Sequence, residues 1–452
     1  MQMEYRNKLL TNPYCMLPSY NHTLPSGNET GTFLALDVGG STFRVALVSL
    51  TGRQHGQDGI KIVRVTSTAI DEKVRSLHGI EFFDWMATKI KHVVADEAGV
   101  QERNGVIPLG LSWSFPIEQT SIRGGKIQNM GKGFNCSKGT LGQDLGVTLE
   151  AACSRQGVKV QIDAIVNDSS ATLLSKAYSD PFASMSLILG TGMNCAVHMP
   201  VSQIGAQKFG ERQPSWHAQA EKVITNTELS MFGGSILPKT RFDDQLNRSH
   251  ALPDFQPLEY MTTGRYLGEI VRLIIFEATE TAGLFGGVIP SSLSMPYTLD
   301  TQFLAILESD TTPNLSRASS YLEKTHTFTN LPSLEDLLFL RSIAECVSTR
   351  AAAYIATSIH ALWSIGRDLD DAKSPVTGAE KLTIACDGSV VNKYPGFREM
   401  CSSYIASMIA AEGRTRSSTL PEIHLEPSCD APIFGAAVAV AVAICESGIY
   451  SS

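Results

Sequence analysis

Residues Val158 to Met199 constrain this chain more than any other stretch. Val158, Val160 and Ile162 alternate with Lys159, Gln161 and Asp163, and Ala164-Ile165-Val166 is wholly apolar, which is the pattern of a strand. The run stops at Asn167-Asp168-Ser169-Ser170, and Ala171-Thr172-Leu173-Leu174 reads as the start of a helix. Asp168 thus stands where a strand gives way to a helix, and there free backbone N–H groups and the helix dipole favour negative charge. Two readings fit it: an N-cap, or a general base at the edge of a cleft. Ser186 to Val197 then reads as strand, tight turn, strand, with the turn at Gly190-Thr191-Gly192. Glycines there let backbone N–H groups come close to a phosphate. A carboxylate and a phosphate cradle in one short stretch point to phosphoryl transfer.

A second stretch repeats the device. Phe33-Leu-Ala-Leu-Asp37-Val-Gly39-Gly40-Ser41-Thr42-Phe-Arg44 is again strand, glycine turn and strand, a weak internal repeat. Two such hairpins facing each other clamp the two ends of a polyphosphate, and Asp37 suits a hydrated Mg²⁺, which prefers oxygen ligands and keeps several waters. An ordinary β-hairpin with a Gly-Gly turn remains open as the plainer reading. The stretch is neither a Walker A loop nor a G-x-G-x-x-G fingerprint.

Length and composition set the outer limits. A chain of 452 residues can bury a large core in two lobes. A net charge of −8, with no basic stripe, speaks against a nucleic-acid partner. Nine scattered cysteines without a C-x-x-C pair suggest reduced thiols in the cytosol rather than disulfides or zinc. Met1-Gln-Met-Glu-Tyr-Arg has no apolar signal region. The best membrane candidate, Ala431 to Cys445, falls short of the roughly 20 residues a span needs, so a buried Ala/Val helix is expected and no membrane insertion.

Taken in order, residues 1–30 are polar and turn-rich. Residues 60–67 read as a strand, 80–97 as an amphipathic helix, and Ile107–Trp113 as another strand. Gly124-Gly125-Lys126 and Gly131-Lys132-Gly133-Phe134 are loop signals. Glu228 follows a short apolar run, and Glu259 precedes an apolar-periodic helix, Tyr266–Phe276. Each glutamate alone reads as a solvated charge; together they supply acceptors for neighbouring sugar hydroxyls. Residues 310–332 read as loop, Leu334–Trp363 as a long helix, and Leu382–Cys386 as a strand ending at Asp387-Gly388-Ser389. A helix follows from about Pro395, then a short strand at Ile423-His-Leu and the Ala/Val helix. Alternating strands and helices give an α/β fold.

Assembled in this order, the chain resembles the eukaryotic hexokinase/glucokinase family, within the actin-like ATPase superfamily, as a divergent member of fungal type. The resemblance rests on Leu36-Asp-Val-Gly-Gly-Ser-Thr-Phe-Arg44, Ser114-Phe-Pro with Gln119, Gly131-Lys-Gly-Phe134, Val166-Asn-Asp-Ser169 and Leu189-Gly-Thr-Gly-Met-Asn194. Asn226-Thr-Glu228, Glu259, Tyr266-Leu-Gly-Glu-Ile-Val-Arg272 and Asp387-Gly-Ser389 extend it. It implies a two-lobed, ribonuclease H-like fold with a cleft between a small lobe, about 31–166, and a larger one, the family's two halves falling at 1–202 and 203–450. The implied activity is ATP-dependent phosphorylation of glucose or a related hexose at the 6-hydroxyl. Asp168 would be the base, assisted by Lys132. Ser114, Lys132, Asn167, Asp168, Asn194, Glu228 and Glu259 would hold the sugar. Asp37, Gly39, Gly40, Ser41, Thr42, Arg44, Gly190, Thr191, Gly192, Gly388 and Ser389 would serve Mg-ATP, with Asp37 reaching Mg²⁺ through water.

The departures cluster at the site. Gly131 stands for the family's threonine, Met130 for its tryptophan, Ser41-Thr42 for Thr-Asn, and Leu229-Ser230 for Trp-Gly. Asp430-Ala-Pro-Ile-Phe-Gly435 stands where the family has a Gly-Ser-Gly turn beside the adenosine. Pro432 removes a donor there, and Ile433 and Phe434 add bulk where glycine permits close approach, so weaker nucleotide binding is expected. Two alternatives therefore stand beside the working kinase: a catalytically weak sugar-binding regulator, and a kinase of another sugar or amino sugar.

Overall fold

The computed structural model describes residues 1–95, 105–131, 133–370, 381–413 and 422–446. In chain order the strands are β1 (Leu17–Pro18), β2 (Gly31–Val38), β3 (Thr42–Leu50), β4 (Ile60–Ala69), β5 (Ile107–Trp113), β6 (Ile117–Gln119), β7 (Gly125–Ile127), β8 (Val160–Val166), β9 (Ala183–Leu189), β10 (Met193–Pro200), β11 (Lys222–Asn226), β12 (Lys381–Asp387) and β13 (Glu422–Pro427). They form a five-stranded sheet in the order β4-β3-β2-β5-β8 and a six-stranded sheet in the order β1-β11-β10-β9-β12-β13, with β6 and β7 as a separate hairpin.

The repeat glimpsed in the two glycine hairpins is a repeat of topology. In the first sheet β2, β3 and β4 form an antiparallel meander, and β5 and β8 add in parallel on the other side of β2. In the second, β9, β10 and β11 form the meander, and β12 and β13 add in parallel beside β9. Each hairpin thus joins the first two strands of its meander, and each sheet sends parallel strand ends toward the same side as its hairpin turn. Ligands of open α/β sheets bind at such carboxyl ends.

Packing follows from the apolar faces. The helices Ile80–Val94 and Leu145–Arg155 cover one face of the first sheet through Phe82, Phe83, Met86, Ile90, Leu149 and Ala152. Its other face meets the last helix, Ala431–Glu446, which also lies along the helix Asp168–Ser179; Ala35, Val48, Ala164, Leu173, Ala436 and Val440 share that core with Ala196 and Ile224 of the second sheet. The helices Leu334–Asp370 and Phe397–Gly413 belong to the large core of the second sheet. The Ala/Val helix is buried as its composition suggests, although it follows a strand of the second sheet in sequence.

Small residues permit this close approach. A Cβ on Gly435 would stand inside contact distance of the Ala171 backbone, and one on Gly110 inside that of the Ala436 carbonyl. Gly435→Ala is therefore expected to lower stability by about 1–3 kcal/mol through overpacking, read as a drop in the thermal midpoint. An unchanged midpoint would mean that the two helices can part at no cost.

Some helices lie where the sequence pattern reads as loop or carries no clear signal. Gln2–Thr11 buries Tyr5 and Leu9, and Ser316–Thr325 buries Ala318 and Leu322. Leu145–Arg155 starts from Asp144, whose side chain accepts the Val147 N–H. In the first two a single i, i+4 pair faces the core, too short an apolar stripe to stand out among polar neighbours. The long helix runs to Asp370, beyond the expected end at Trp363. The glycine loop at 124–126 proves to be the β6–β7 hairpin.

Candidate active site

The helix Asp168–Ser179 decides the N-cap reading of Asp168. Asn167 is the N-cap: its Oδ1 accepts the Ser169 N–H at 2.9 Å and the Ser169 hydroxyl at 2.7 Å. Asp168 is the first helical residue, with its Oδ1 2.7 Å from the Ser169 N. The helix start therefore does not depend on Asp168 as its cap, and the half-buried carboxylate lies in the positive field of the helix N-terminus.

Neighbouring strand ends deliver the partners. Val38 pairs with Trp113, and Ser112 with Val166, so Asp37, Ser114 and Asp168 leave three adjacent strands of one sheet. The Ser114 N–H donates to the Val38 carbonyl at 3.2 Å, tying the sugar loop to the first hairpin. Behind it, Trp113, Phe115, Phe134 and Phe82 form a chain of aromatic contacts with centroids 4.9–5.8 Å apart. The β6–β7 hairpin covers the outer edge of β8. The Ile165 N–H donates to the Ile122 carbonyl at 2.8 Å, the Gln119 amide donates to the Ile165 carbonyl at 3.0 Å, and Arg123 pairs with the buried Asp163 at 2.8 Å.

From the second sheet, Asn194 reaches the base helix, with Nδ2 3.5 Å from Asn167 Oδ1. Ser186 donates to the Ser169 carbonyl at 2.7 Å and accepts the Ala196 N–H, bracing the helix start against the second hairpin. Glu259 lies against that hairpin: its Oε2 accepts the Met193 N–H at 3.2 Å, and a Cβ on Gly192 would stand 3.0 Å from the same oxygen. Glu228 follows β11, and the Thr227 N–H donates to the Cys195 carbonyl, one residue past Asn194. Asn167, Asp168, Asn194, Glu228 and Glu259 thus come from linked elements around one end of the second sheet.

The residues that the resemblance assigns to the nucleotide also gather. The Gly39 N–H bonds the Thr42 carbonyl at 3.0 Å, closing the first hairpin turn. Arg75 braces that turn by donating to the Gly40 carbonyl at 3.0 Å, and its guanidinium lies 5.8 Å from the Phe134 ring centroid. Gly190 packs on Gly388-Ser389, where an added Cβ would be 3.3 Å from the Ser389 N. Gly388 needs to be glycine: its φ is 114°, and a Cβ would press on the Leu189 carbonyl. Ser41, Thr42, Thr191 and Gly192 lie in or beside the two turns.

Two carboxylates pair with one arginine here and a third, Asp387, acts on them through its charge; of the three, the sequence assigns a role only to Asp37. Arg44 donates to Asp37 Oδ2 from Nε at 2.9 Å and NH2 at 2.7 Å, and to Asp430 Oδ1 from NH1 at 3.0 Å. Burial raises the Asp37 carboxyl above the usual carboxylate range; Arg44 opposes this, while Asp387 and Asp430 add to it. Burial likewise raises Asp387, against the Gly388 N–H and Arg44. The Asp387-Gly-Ser motif was visible, but its link to Asp37 spans most of the chain.

Two expectations change. Ile433 does not crowd the adenosine position: it is 0 % exposed, within the core shared with Ala436 and Val166. Pro432 is the second residue of the last helix, where a missing N–H costs the helix nothing. Gly131 has φ 63°, a conformation in which the family's threonine would be strained, so its loop differs in backbone as well as in side chain. Lys132 lies outside the described residues.

Two like sheets, each with a glycine hairpin at the carboxyl ends of its parallel strands, define a two-lobed phosphotransferase of the actin-like ATPase fold. Hexokinase family models match residues 1–178 and 184–442. Hexokinase-2 of Oryza sativa subsp. japonica is 33% identical over 90% of this chain and 79% of its own length. Hexokinase-1 of Saccharomyces cerevisiae is 30% identical over 94% of this chain and 84% of its own. A hexokinase structure from Schistosoma mansoni complexed with glucose matches with a TM-score of 0.75 and 26% identity, covering 98% of this chain and 96% of that one. A second hexokinase crystal structure gives a TM-score of 0.77 at 27% identity, covering 97% and 91%. The chain belongs to the hexokinase family and is a hexose kinase, divergent from both its plant and its fungal relatives.

Proposed function

We propose that this chain transfers the γ-phosphoryl group of Mg-ATP to the 6-hydroxyl of glucose or a related hexose, with Asp168 as the general base. The observation that carries this reading is the start of the helix Asp168–Ser179: Asn167 is the cap, so Asp168 is not the N-cap, and its half-buried carboxylate stands in the first turn beside Asn167 and Asn194. Asn194, Glu228 and Glu259 hold ring hydroxyls, and Ser114 closes on the sugar from the other sheet. Asp168 takes the hydroxyl proton as that oxygen attacks phosphorus, which contributes about 10²–10⁴-fold. The remaining catalysis is positioning and charge neutralisation, as phosphoryl transfer requires.

The two glycine hairpins and Gly388-Ser389 cradle the nucleotide. Asp37 fits a hydrated Mg²⁺ because its carboxylate is anchored by Arg44 within an acidic corner. When bound, the ion neutralises phosphate charge. Among the described residues no group of three or more His, Cys, Asp or Glu could hold a metal ion, and an ion at Asp37 would take further ligands from water and phosphate oxygens. All nine thiols are unpaired, which fits a reducing compartment, and we place the protein in the cytosol. Among the described residues no helix is long and apolar enough to cross a membrane.

The test is glucose-dependent ADP production with Mg-ATP, using Asp168→Ala as the blank. Turnover above the blank is expected. Glucose binding without turnover would leave the chain a sugar-binding relative and overturn the assignment.

A further inference from the structure

Asn226 ends β11, and its backbone is fixed from both sides, paired with Leu17 of β1 and Ala196 of β10. Its side-chain amide turns to one residue. Nδ2 donates to Glu228 Oε1 at 2.9 Å, and Oδ1 accepts the Glu228 N–H at 3.2 Å. Glu228 itself has φ 50° and ψ 52°, the left-handed region that non-glycine residues enter at a cost. The following turn, Leu229–Met231, is anchored by the buried Leu229 and Ser230.

We propose that Asn226 is a positioning residue for the hexose, holding Glu228 in its left-handed conformation and aiming its carboxylate at the ring hydroxyls. This rests on the reading of Glu228 as a sugar ligand. A primary amide is the group that fits both demands, because it presents a donor to the carboxylate and an acceptor to the N–H of the same residue. Aspartate has the same shape but sets a second carboxylate against Glu228. Alanine offers neither contact. A carboxylate has about four lone-pair sites, so a bond to Asn226 is compatible with bonds to sugar hydroxyls. Because β11 is clamped between two strands, the amide is a rigid reference. Without it Glu228 relaxes toward ordinary backbone angles and its carboxylate swings away from the sugar. The base and the hairpins that carry the phosphoryl group are on other elements, so the step after binding is spared.

Steady-state kinetics on the full chain test this, with Asn226→Ala and the isosteric Asn226→Asp, glucose, and the series of monodeoxyglucoses. Both variants are expected to raise the KM for glucose about tenfold or more, the scale of a lost hydrogen bond to a charged group, with kcat and the KM for ATP nearly unchanged. Discrimination between glucose and the deoxy sugar that the wild type rejects most should fall toward unity, since a site that no longer pairs a hydroxyl no longer misses it. Asn226→Asp should be the worse of the two despite its matching shape. A wild-type glucose KM and wild-type discrimination in Asn226→Ala would overturn the proposal, even with a lowered thermal midpoint, because that pattern marks a structural role. So would a defect confined to kcat. Glu228→Gln separates the two layers: if it leaves glucose binding intact, Glu228 is not a sugar ligand and the proposal falls with that reading.

Discussion

Asp168→Ala lowers phosphoryl transfer to the hexose by about 10²–10⁴-fold, the usual contribution of a positioned base. Hexose binding stays measurable by calorimetry, because the other proposed sugar ligands, Asn194, Glu228 and Glu259, lie on other elements. Stability should hardly move. Asn167 caps the helix, and the charge of Asp168 in the first turn is worth about 0.3–1 kcal/mol. Asp168→Asn sharpens the result: it keeps the shape but cannot take a proton, so it should be as inactive as alanine. Either variant turning over within tenfold of the wild type would remove Asp168 from the base role and leave positioning alone to explain the rate.

The local pattern shows the strand, the Asn-Asp step and both glycine hairpins, because each depends on residues close in sequence. The duplication of the whole sheet topology was visible only as its two hairpins, since β5, β8, β12 and β13 take their places through crossovers that leave no local mark. Ile433 shows the opposite failure. Next to a turn expected to meet adenosine, it reads as an obstruction, yet the helix points it into a core formed with Val166 and Ala436. Asn226 stands in the Asn-Thr-Glu run that carries part of the resemblance, but a positioning role for it emerges only from the left-handed backbone of Glu228. Helix Gln2–Thr11 was missed because its fold depends on partners far along the chain: Glu4 accepts the Gly233 N–H, and Lys208 donates to the Lys8 carbonyl.

Arg44 should show the second large effect. Arg44→Met keeps an apolar stem but removes the cation that Asp37 and Asp430 share. Two charge-assisted hydrogen bonds to Asp37 are lost, each worth about 1.5–3 kcal/mol, so kcat/KM for Mg-ATP should fall about 10²-fold or more while glucose binding persists. The pH profile carries the more specific signature. Asp37 is already raised by burial, and Arg44 is the largest influence holding it down; Asp387 and Asp430 push it up. Removing Arg44 raises it further, so Asp37 gains its proton at a higher pH and the acid-side fall in kcat/KM for ATP moves upward in pH. Adding Asp430→Asn to Arg44→Met removes one repelling charge and should move that limb part of the way back, although it restores no contact to the nucleotide. A variant with lowered ATP efficiency but an unmoved acid limb would show that Arg44 acts on the phosphates directly and that Asp37 ionisation does not govern nucleotide use.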